Sequence, residues 1–226
     1  MVVGILGCWV VGTVSAAVVD ANVAVVSKYM WRGMDSNLTQ PAVQPGVTYY
    51  TPINGLSLGL WGSYNIGSIT NKEMTEVDYI VTYTSALSDA LGYSLTYNAY
   101  TYPNNAAAKT AEIILNLTAN QLSFTPTLLF AYDAEQFKQW YASLGGKTSF
   151  ALGRMDIASC LTVGYNNGQY NIKPGISDAN LTFSTNLPVG SVTLTPSVNY
   201  TWANADNGVN VDANTFWFGL TIAGSI

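Results

Sequence analysis

The chain has 226 residues, of which 9% are charged, whereas a typical soluble domain has about 25%. Apolar residues make up 49%, yet after residue 19 no apolar run reaches the roughly 20 residues of a transmembrane helix. Hydrocarbon offers no hydrogen-bond partners to backbone polar groups, so an apolar chain without spanning helices indicates a closed β-barrel. The net charge of −5 argues against a nucleic-acid partner.

The first element is the apolar segment MVVGILGCWVVGTVSAAVV at the start of the chain. The small residues Val14-Ser15-Ala16 resemble a signal-peptidase site, although the basic residues that usually precede the apolar run are missing. We expect residues 1–16 to be a signal peptide and residues 17–226 to form an outer-membrane β-barrel. A lipoprotein signal ending at Cys8 and an uncleaved anchor are the alternatives.

Twelve segments of alternating polarity follow, with apolar residues on one parity and small polar residues on the other. Most have about the 10 residues that a tilted outer-membrane strand needs. The predicted strands are residues 22–34, 42–50, 56–66, 75–85, 91–102, 109–118, 121–132, 137–147, 154–165, 177–186, 191–203 and 214–224. The pattern predicts an all-β fold, a single antiparallel up-and-down transmembrane barrel of about 12 strands.

Short connections alternate with longer ones along the chain, as in outer-membrane barrels, whose short turns face the periplasm. We therefore expect the N- and C-termini in the periplasm, and no connection is long enough to suggest a plug. Aromatic residues on the apolar parity cluster near strand ends, which predicts two girdles at the membrane interfaces. Those expected at the external rim are Tyr29, Trp31, Tyr64, Tyr79, Tyr132, Trp140, Tyr165, Tyr200, Trp202 and Phe216.

Two blocks of sequence carry a resemblance to a known family. The first contains Trp31-Arg32-Gly33, Pro41-Ala42-Val43-Gln44-Pro45-Gly46 and Gly59-Leu60-Trp61-Gly62-Ser63. The second runs from Glu76-Val77-Asp78-Tyr79 to the stretch YNAYTYPN at residues 97–104. Together they resemble the TorF-type porins, also catalogued as the Gcw_chp family of proteobacterial outer-membrane proteins. This resemblance implies a small barrel that acts as a porin, with no settled substrate.

The strand parity also places ionisable side chains in the lumen. These residues are Lys28, Arg32, Glu76, Asp78, Glu112, Asp156 and Asp178. A bare charge in a narrow barrel is costly without water or a partner, so one interpretation is a network joining Lys28 and Arg32 to Glu76 and Asp78. The other is a constriction whose excess of carboxylates gives a weak preference for cations, and the two can coexist. Small polar groups on the remaining inner surface favour a narrow aqueous channel over a filled lumen.

The chain contains no histidine, which removes Ser–His chemistry and the commonest metal ligand. We therefore expect no enzyme activity, no catalytic residues, no metal site and no cofactor. The expected function is passive diffusion of small hydrophilic solutes or ions through a porin-like channel surrounded by outer-membrane lipid. The alternative is a non-conducting barrel that acts as an adhesin, receptor or structural anchor through its external loops. The sequence leaves the oligomeric state open.

Overall fold

The computed structural model describes residues 18–37, 40–67, 73–104, 108–207 and 214–225, so the predicted signal peptide lies outside the described residues. The described strands are β1 (Val18–Val26), β2 (Met30–Trp31), β3 (Met34–Asp35), β4 (Ala42–Tyr50), β5 (Leu56–Asn65), β6 (Glu73–Ser88), β7 (Leu91–Thr101), β8 (Thr110–Ala119), β9 (Thr125–Asp133), β10 (Trp140–Leu152), β11 (Met155–Asn166), β12 (Gly175–Ser184), β13 (Leu187–Val189), β14 (Val192–Ala203) and β15 (Asn214–Ser225). In these ranges no helix has the length and apolar character needed to cross a membrane.

Twelve of these strands close into one antiparallel barrel, which confirms the predicted fold. Each pairs with the next barrel strand along the chain, and β1 pairs with both β4 and the last strand, β15. On the other side β12 pairs directly with β14, while the short β13 lies against the beginning of β14. Every barrel strand therefore has two neighbours, so no strand edge runs open along the wall.

Side chains alternate between the outer face and the lumen, as the period of two requires. On β8, for example, Ile113 is 46% exposed, whereas its neighbours Glu112 and Ile114 are buried. Each barrel strand exposes at least one large apolar residue on the outside, in chain order Val25, Val47, Leu58, Val81, Leu95, Ile113, Leu128, Leu144, Leu161, Phe183, Val198 and Phe216. An apolar outer band around a closed barrel is typical of proteins that face lipid.

The connections fall into two sets that lie at opposite ends of the barrel. We call the end with the longer connections the loop end; its connections are residues 27–41, 66–72, 102–109, 134–139, 167–174 and 204–213. The opposite end is the turn end, where residues 51–55, 89–90, 120–124, 153–154 and 185–191 join the strands. The assignment of the turn end, and with it both termini, to the periplasm stays a prediction.

Aromatic side chains form stacked groups on the outer surface near the loop end. Trp140 packs between Phe130 and Tyr165, with ring centroids 5.7 Å and 5.4 Å away. Two residues predicted for this girdle are elsewhere, because Tyr29 is only 3% exposed and Trp31 packs against rings inside the barrel. The girdle prediction is therefore wrong for Tyr29 and Trp31.

The reason is that the first predicted strand, residues 22–34, is too long. β1 ends at Val26, and the chain then forms a separate hairpin in which Met30 pairs with Asp35. At its turn Arg32 and Gly33 have φ values of 47° and 79°, and tight hairpin turns of the I′ type require positive φ at both central residues. The backbone therefore reverses at these two residues instead of continuing along the wall. We call residues 29–36 the lumen hairpin.

Candidate channel constriction

The lumen hairpin lies inside the barrel at the loop end, where it touches strands distributed around the ring. The Tyr29 ring lies 5.6 Å from that of Trp61 on β5, measured between centroids. At the tip, a Cβ added to Gly33 would stand 2.7 Å from the Cβ of Asp178 on β12. The hairpin thus reaches across the lumen from β5 to β12, so the expectation that no connection is long enough to suggest a plug is wrong.

An ion pair holds the tip of the lumen hairpin. Arg32 Nη1 and Nη2 lie 2.6 Å and 2.8 Å from the two carboxylate oxygens of Glu112, and the two side chains are 5% and 0% exposed. Glu112 also accepts hydrogen bonds from the Tyr100 hydroxyl at 2.8 Å and from Gln169 Nε2 at 3.0 Å. Because bidentate, charge-assisted contacts are the strongest hydrogen bonds in proteins, this cluster fixes the tip in place.

Aromatic rings and one amide complete the surroundings of the guanidinium. Arg32 Cζ lies 4.2 Å from the ring centroid of Trp31 and 4.5 Å from that of Tyr141, and Nη1 donates to Gln169 Oε1 at 2.8 Å. Burial lowers the pKa of Arg32, but the attraction and hydrogen bonds of Glu112, together with Tyr100 and Tyr141, outweigh that effect, so the pKa lies above its ordinary value. The group therefore stays charged inside the protein, where cation–π contacts are strongest.

The predicted network of Lys28 and Arg32 with Glu76 and Asp78 differs from the one that forms. Among the described residues the one ion pair joins Arg32 to Glu112. Arg32 projects from the tip of a hairpin and not from the wall of β1, so it crosses the lumen and reaches β8. Lys28 follows the end of β1 and is half-buried. The prediction that Lys28 and Arg32 lie on the first strand is wrong.

Glu76 and Asp78 lie two residues apart on β6 and both face the lumen, with exposures of 6% and 0%. Asp78 Oδ2 accepts a hydrogen bond from Asn98 Nδ2 at 3.1 Å, while its Oδ1 finds no donor among the described residues. The Glu76 carboxyl group lies near the carboxyl group of Asp78 and the Tyr29 hydroxyl. Two buried carboxyl groups this close disfavour each other's negative charge, so a proton or a cation is needed to compensate at least one of them.

The last two predicted lumen carboxylates lie at opposite ends of the barrel. Asp178 on β12 is fully buried and accepts hydrogen bonds from the Tyr141 hydroxyl at 3.2 Å and from Ser177 Oγ at 2.7 Å. Asp156 stands opposite Ala151 beside the tight turn at the turn end and is exposed. The structure thus gathers Arg32, Glu76, Asp78, Glu112 and Asp178 at the loop end and leaves Asp156 outside the group.

Several residues of this site are absent from the sequence-based set. Tyr100 and Tyr141 share the inward parity of Asn98 and Ser143, so strand parity alone identifies them. Lys147, which lies outside this site toward the turn end, also has the inward parity of β10, opposite Thr125 on β9 and Cys160 on β11. Gln169 has no such signal, because it belongs to the connection between β11 and β12, where parity carries no information.

The other half of the lumen, toward the turn end, is lined by half-buried hydroxyl groups. These belong to Ser57, Thr84, Ser94, Thr118, Thr127, Thr182, Thr195, Ser197 and Thr221. Their partial exposure contrasts with the loop-end half, where Asn98, Glu112, Asp133 and Asp178 are 0% exposed. The turn-end half therefore has the small polar lining that the sequence predicts, whereas the lumen hairpin and the side chains around it occupy the loop-end half. That the lumen holds an aqueous channel stays a prediction.

Solved structures of outer-membrane channels share this fold. The chain matches the KdgM porin with a TM-score of 0.59 and 9% identity, covering 92% of this chain and 99% of that one. It matches the NanC porin with a TM-score of 0.54 and 12% identity, covering 91% and 97%. It also matches the COG4313 outer membrane channel of Pseudomonas putida F1 with a TM-score of 0.54 and 10% identity, covering 95% and 97%. These likenesses show the outer-membrane β-barrel fold.

The sequence itself is distant from characterised proteins, since a search of curated proteins finds no match. One family profile does match, and it spans residues 11–219, which include every barrel strand except the last part of β15. The family is described as "Bacterial protein of unknown function (Gcw_chp)". The chain belongs to the Gcw_chp family.

Proposed function

We propose that this protein is a porin-like channel of the bacterial outer membrane, of the TorF type, that passes small hydrophilic solutes or ions by passive diffusion. The observation that carries the proposal is the contrast between the two faces of the wall. The outside is apolar on every barrel strand, whereas the turn-end half of the lumen presents hydroxyl groups that can hydrate a solute. No catalytic step, metal or cofactor is part of the proposal.

The charges at the constriction support a weak preference for cations. The positive charge of Arg32 is neutralised by Glu112, with which it forms an ion pair. Glu76, Asp78 and Asp178 remain around the same cross-section, and none of them forms an ion pair with another described residue. Since side-chain charges at a constriction set ion selectivity, this excess of carboxyl groups favours positively charged solutes.

The test is planar-bilayer conductance of the purified barrel, with reversal potentials measured in a potassium chloride gradient. We expect discrete channels with a reversal potential on the cation-selective side. The variant Asp78→Asn should reduce that selectivity, while Asp156→Asn, which removes an equal charge at the turn end, should alter it less. Clear anion selectivity of the unaltered protein would contradict the proposed preference.

A second candidate is a barrel that does not conduct and acts as an adhesin, receptor or anchor through its external loops. The filling of the loop-end half by the lumen hairpin favours it, because a solute would have to displace or bypass that hairpin. Liposome swelling in the presence of small sugars separates the two candidates. Swelling supports the channel, and its absence together with silent bilayers supports the second candidate.

A further inference from the structure

A cavity of about 220 Å³ lies beside the lumen hairpin at the loop end. Its walls are mostly aromatic, and the rings belong to Tyr29, Trp31, Tyr100, Tyr102 and Tyr170. Ser36 lies at its edge and is exposed, so the cavity has an opening toward the loop end. Such concentration of rings around one small space resembles the aromatic cages that bind cations.

Among the described residues, the charged ones that line this cavity are Asp35 and Glu76, with no lysine or arginine. Arg32 is bound to Glu112, and its Cζ lies 4.2 Å from the ring centroid of Trp31. The described walls of the cavity are therefore acidic and aromatic. Both features attract positive charge, the carboxylates by direct attraction and the rings through their negative faces.

The Glu76 and Asp78 pair gives an independent reason for a cation at this place. Glu76 lines the cavity and lies against Asp78, whose Oδ1 has no donor among the described residues. Among the described residues no cation pairs with Glu76 or Asp78, because the guanidinium that sequence analysis assigned to them is bound to Glu112. An ammonium group in the cavity would supply the missing charge.

We infer that the cavity is a binding site for a small organic cation, an alkylated or primary ammonium, whose charge lies against Glu76 and between the aromatic rings. The volume is below the roughly 300–1,000 Å³ of sites for drug-sized ligands. The ligand is therefore about the size of choline and smaller than an oligoamine. That such a cation permeates the barrel rests on the proposed channel function, whereas its binding does not.

The experiment is isothermal titration calorimetry of the full chain, refolded in detergent, with choline as the probe. The uncharged carbon isostere of choline, which has the same shape, is the reference ligand. We expect choline to bind and the isostere to bind at least about tenfold more weakly, because only choline gains the carboxylate and ring contacts. Equal binding of the two ligands, or no binding of choline, would overturn the inference.

Two variants locate the site. Glu76→Gln keeps the shape of the side chain and should weaken choline binding by about tenfold or more, whereas Asp156→Asn should leave it unchanged. Tyr102 lies at the rim, just beyond the end of β7. Tyr102→Leu should weaken choline binding several-fold, and it provides the test of the site if Glu76→Gln fails to fold. Choline affinity that is the same in Glu76→Gln and Tyr102→Leu as in the unaltered chain would overturn the site.

Conductance recorded on the same preparation separates this inference from the proposed function. A barrel that conducts ions but does not bind choline overturns the cation site and leaves the channel. A barrel that binds choline in a Glu76-dependent manner and stays silent in bilayers supports the site and counts against the channel.

Discussion

The guanidinium of Arg32 and the carboxylate of Glu112, 80 residues apart in the chain, form a bidentate pair at 2.6 Å and 2.8 Å across the lumen. Both side chains are almost completely buried, so each charge offsets part of the desolvation cost of the other, and removing either one would leave an uncompensated buried charge. Tyr100 and Gln169 bind the same carboxylate, which joins the lumen hairpin, the barrel wall and one loop-end connection in a single cluster. The position of the hairpin depends on this pair.

The first prediction concerns the removal of the cation. Arg32→Ala leaves Glu112 buried without its partner, so we expect a loss of about 3–5 kcal/mol in unfolding free energy and a higher conductance as the hairpin leaves the lumen. Urea unfolding in detergent and single-channel recording measure the two effects. Arg154→Ala is the control, because Arg154 lies exposed in a turn at the turn end. Unchanged conductance in Arg32→Ala would show that the hairpin does not limit the channel.

The second prediction uses the two glycines with positive φ. Gly33→Ala places a Cβ 2.7 Å from that of Asp178 at a φ of 79°, whereas Gly153→Ala meets nothing within 4 Å at a φ of 64°. Both variants place an alanine in the left-handed backbone conformation, but only the alanine at position 33 also clashes. Gly33→Ala should therefore lose about 1–3 kcal/mol more unfolding free energy than Gly153→Ala. Limited trypsin digestion should cut after Arg32 in Gly33→Ala and not in Gly153→Ala. Protection of Arg32 in both variants would contradict the packing at Gly33.

The third prediction concerns the lysine on the inner wall. Lys147→Gln removes a positive charge from the inward face of β10, so the cation-over-anion permeability ratio should rise by about a factor of two. Reversal potentials in a salt gradient measure the ratio. Lys173→Gln removes the same charge from an exposed position in a loop-end connection and should have a smaller effect. An unchanged ratio in Lys147→Gln would place this side chain outside the conducting path.

The fourth prediction tests which face of the wall meets lipid. Leu128 and Thr127 are neighbours on β9, but Leu128 is 44% exposed on the outside whereas Thr127 lies on the inner face. Leu128→Arg should cost about 2–4 kcal/mol of stability in lipid, because it puts a charge near the middle of the hydrocarbon. Thr127→Arg should cost less, since its side chain can reach water in the lumen. Folding into lipid vesicles at a series of urea concentrations measures the stability of both variants. A larger loss in Thr127→Arg than in Leu128→Arg would show that Thr127, and not Leu128, faces lipid.

The strand pattern could be predicted from the sequence because alternation repeats in every wall segment and each repeat supports the same fold. It failed at residues 29–36, where Tyr29 and Trp31 continue the alternation after β1 has ended. The opposing signal was Gly33, which has positive φ and forms the turn of the hairpin together with Arg32. A glycine after an arginine is a weak turn signal beside two aromatic residues of the expected parity.

The candidate site could be predicted only in part, since parity gives the direction of a side chain but not its partner across the lumen. Glu112 was placed on the inner face, yet its pairing with Arg32 depends on how far the hairpin reaches. Gln169 lies in a connection, where neither period nor parity constrains the backbone. Contacts between separate elements therefore remained beyond the reach of sequence patterns.

The hairpin also constrains the order of assembly. It follows β1 directly, but its tip contacts Glu112, Gln169 and Asp178, which lie much later in the chain. We therefore expect Arg32 to stay accessible to protease at least until β8 and β12 have assembled, and the wall around the hairpin closes when β15 pairs with β1. Protection of Arg32 from trypsin, compared in time with the appearance of the compact folded form on an unheated gel, measures this order.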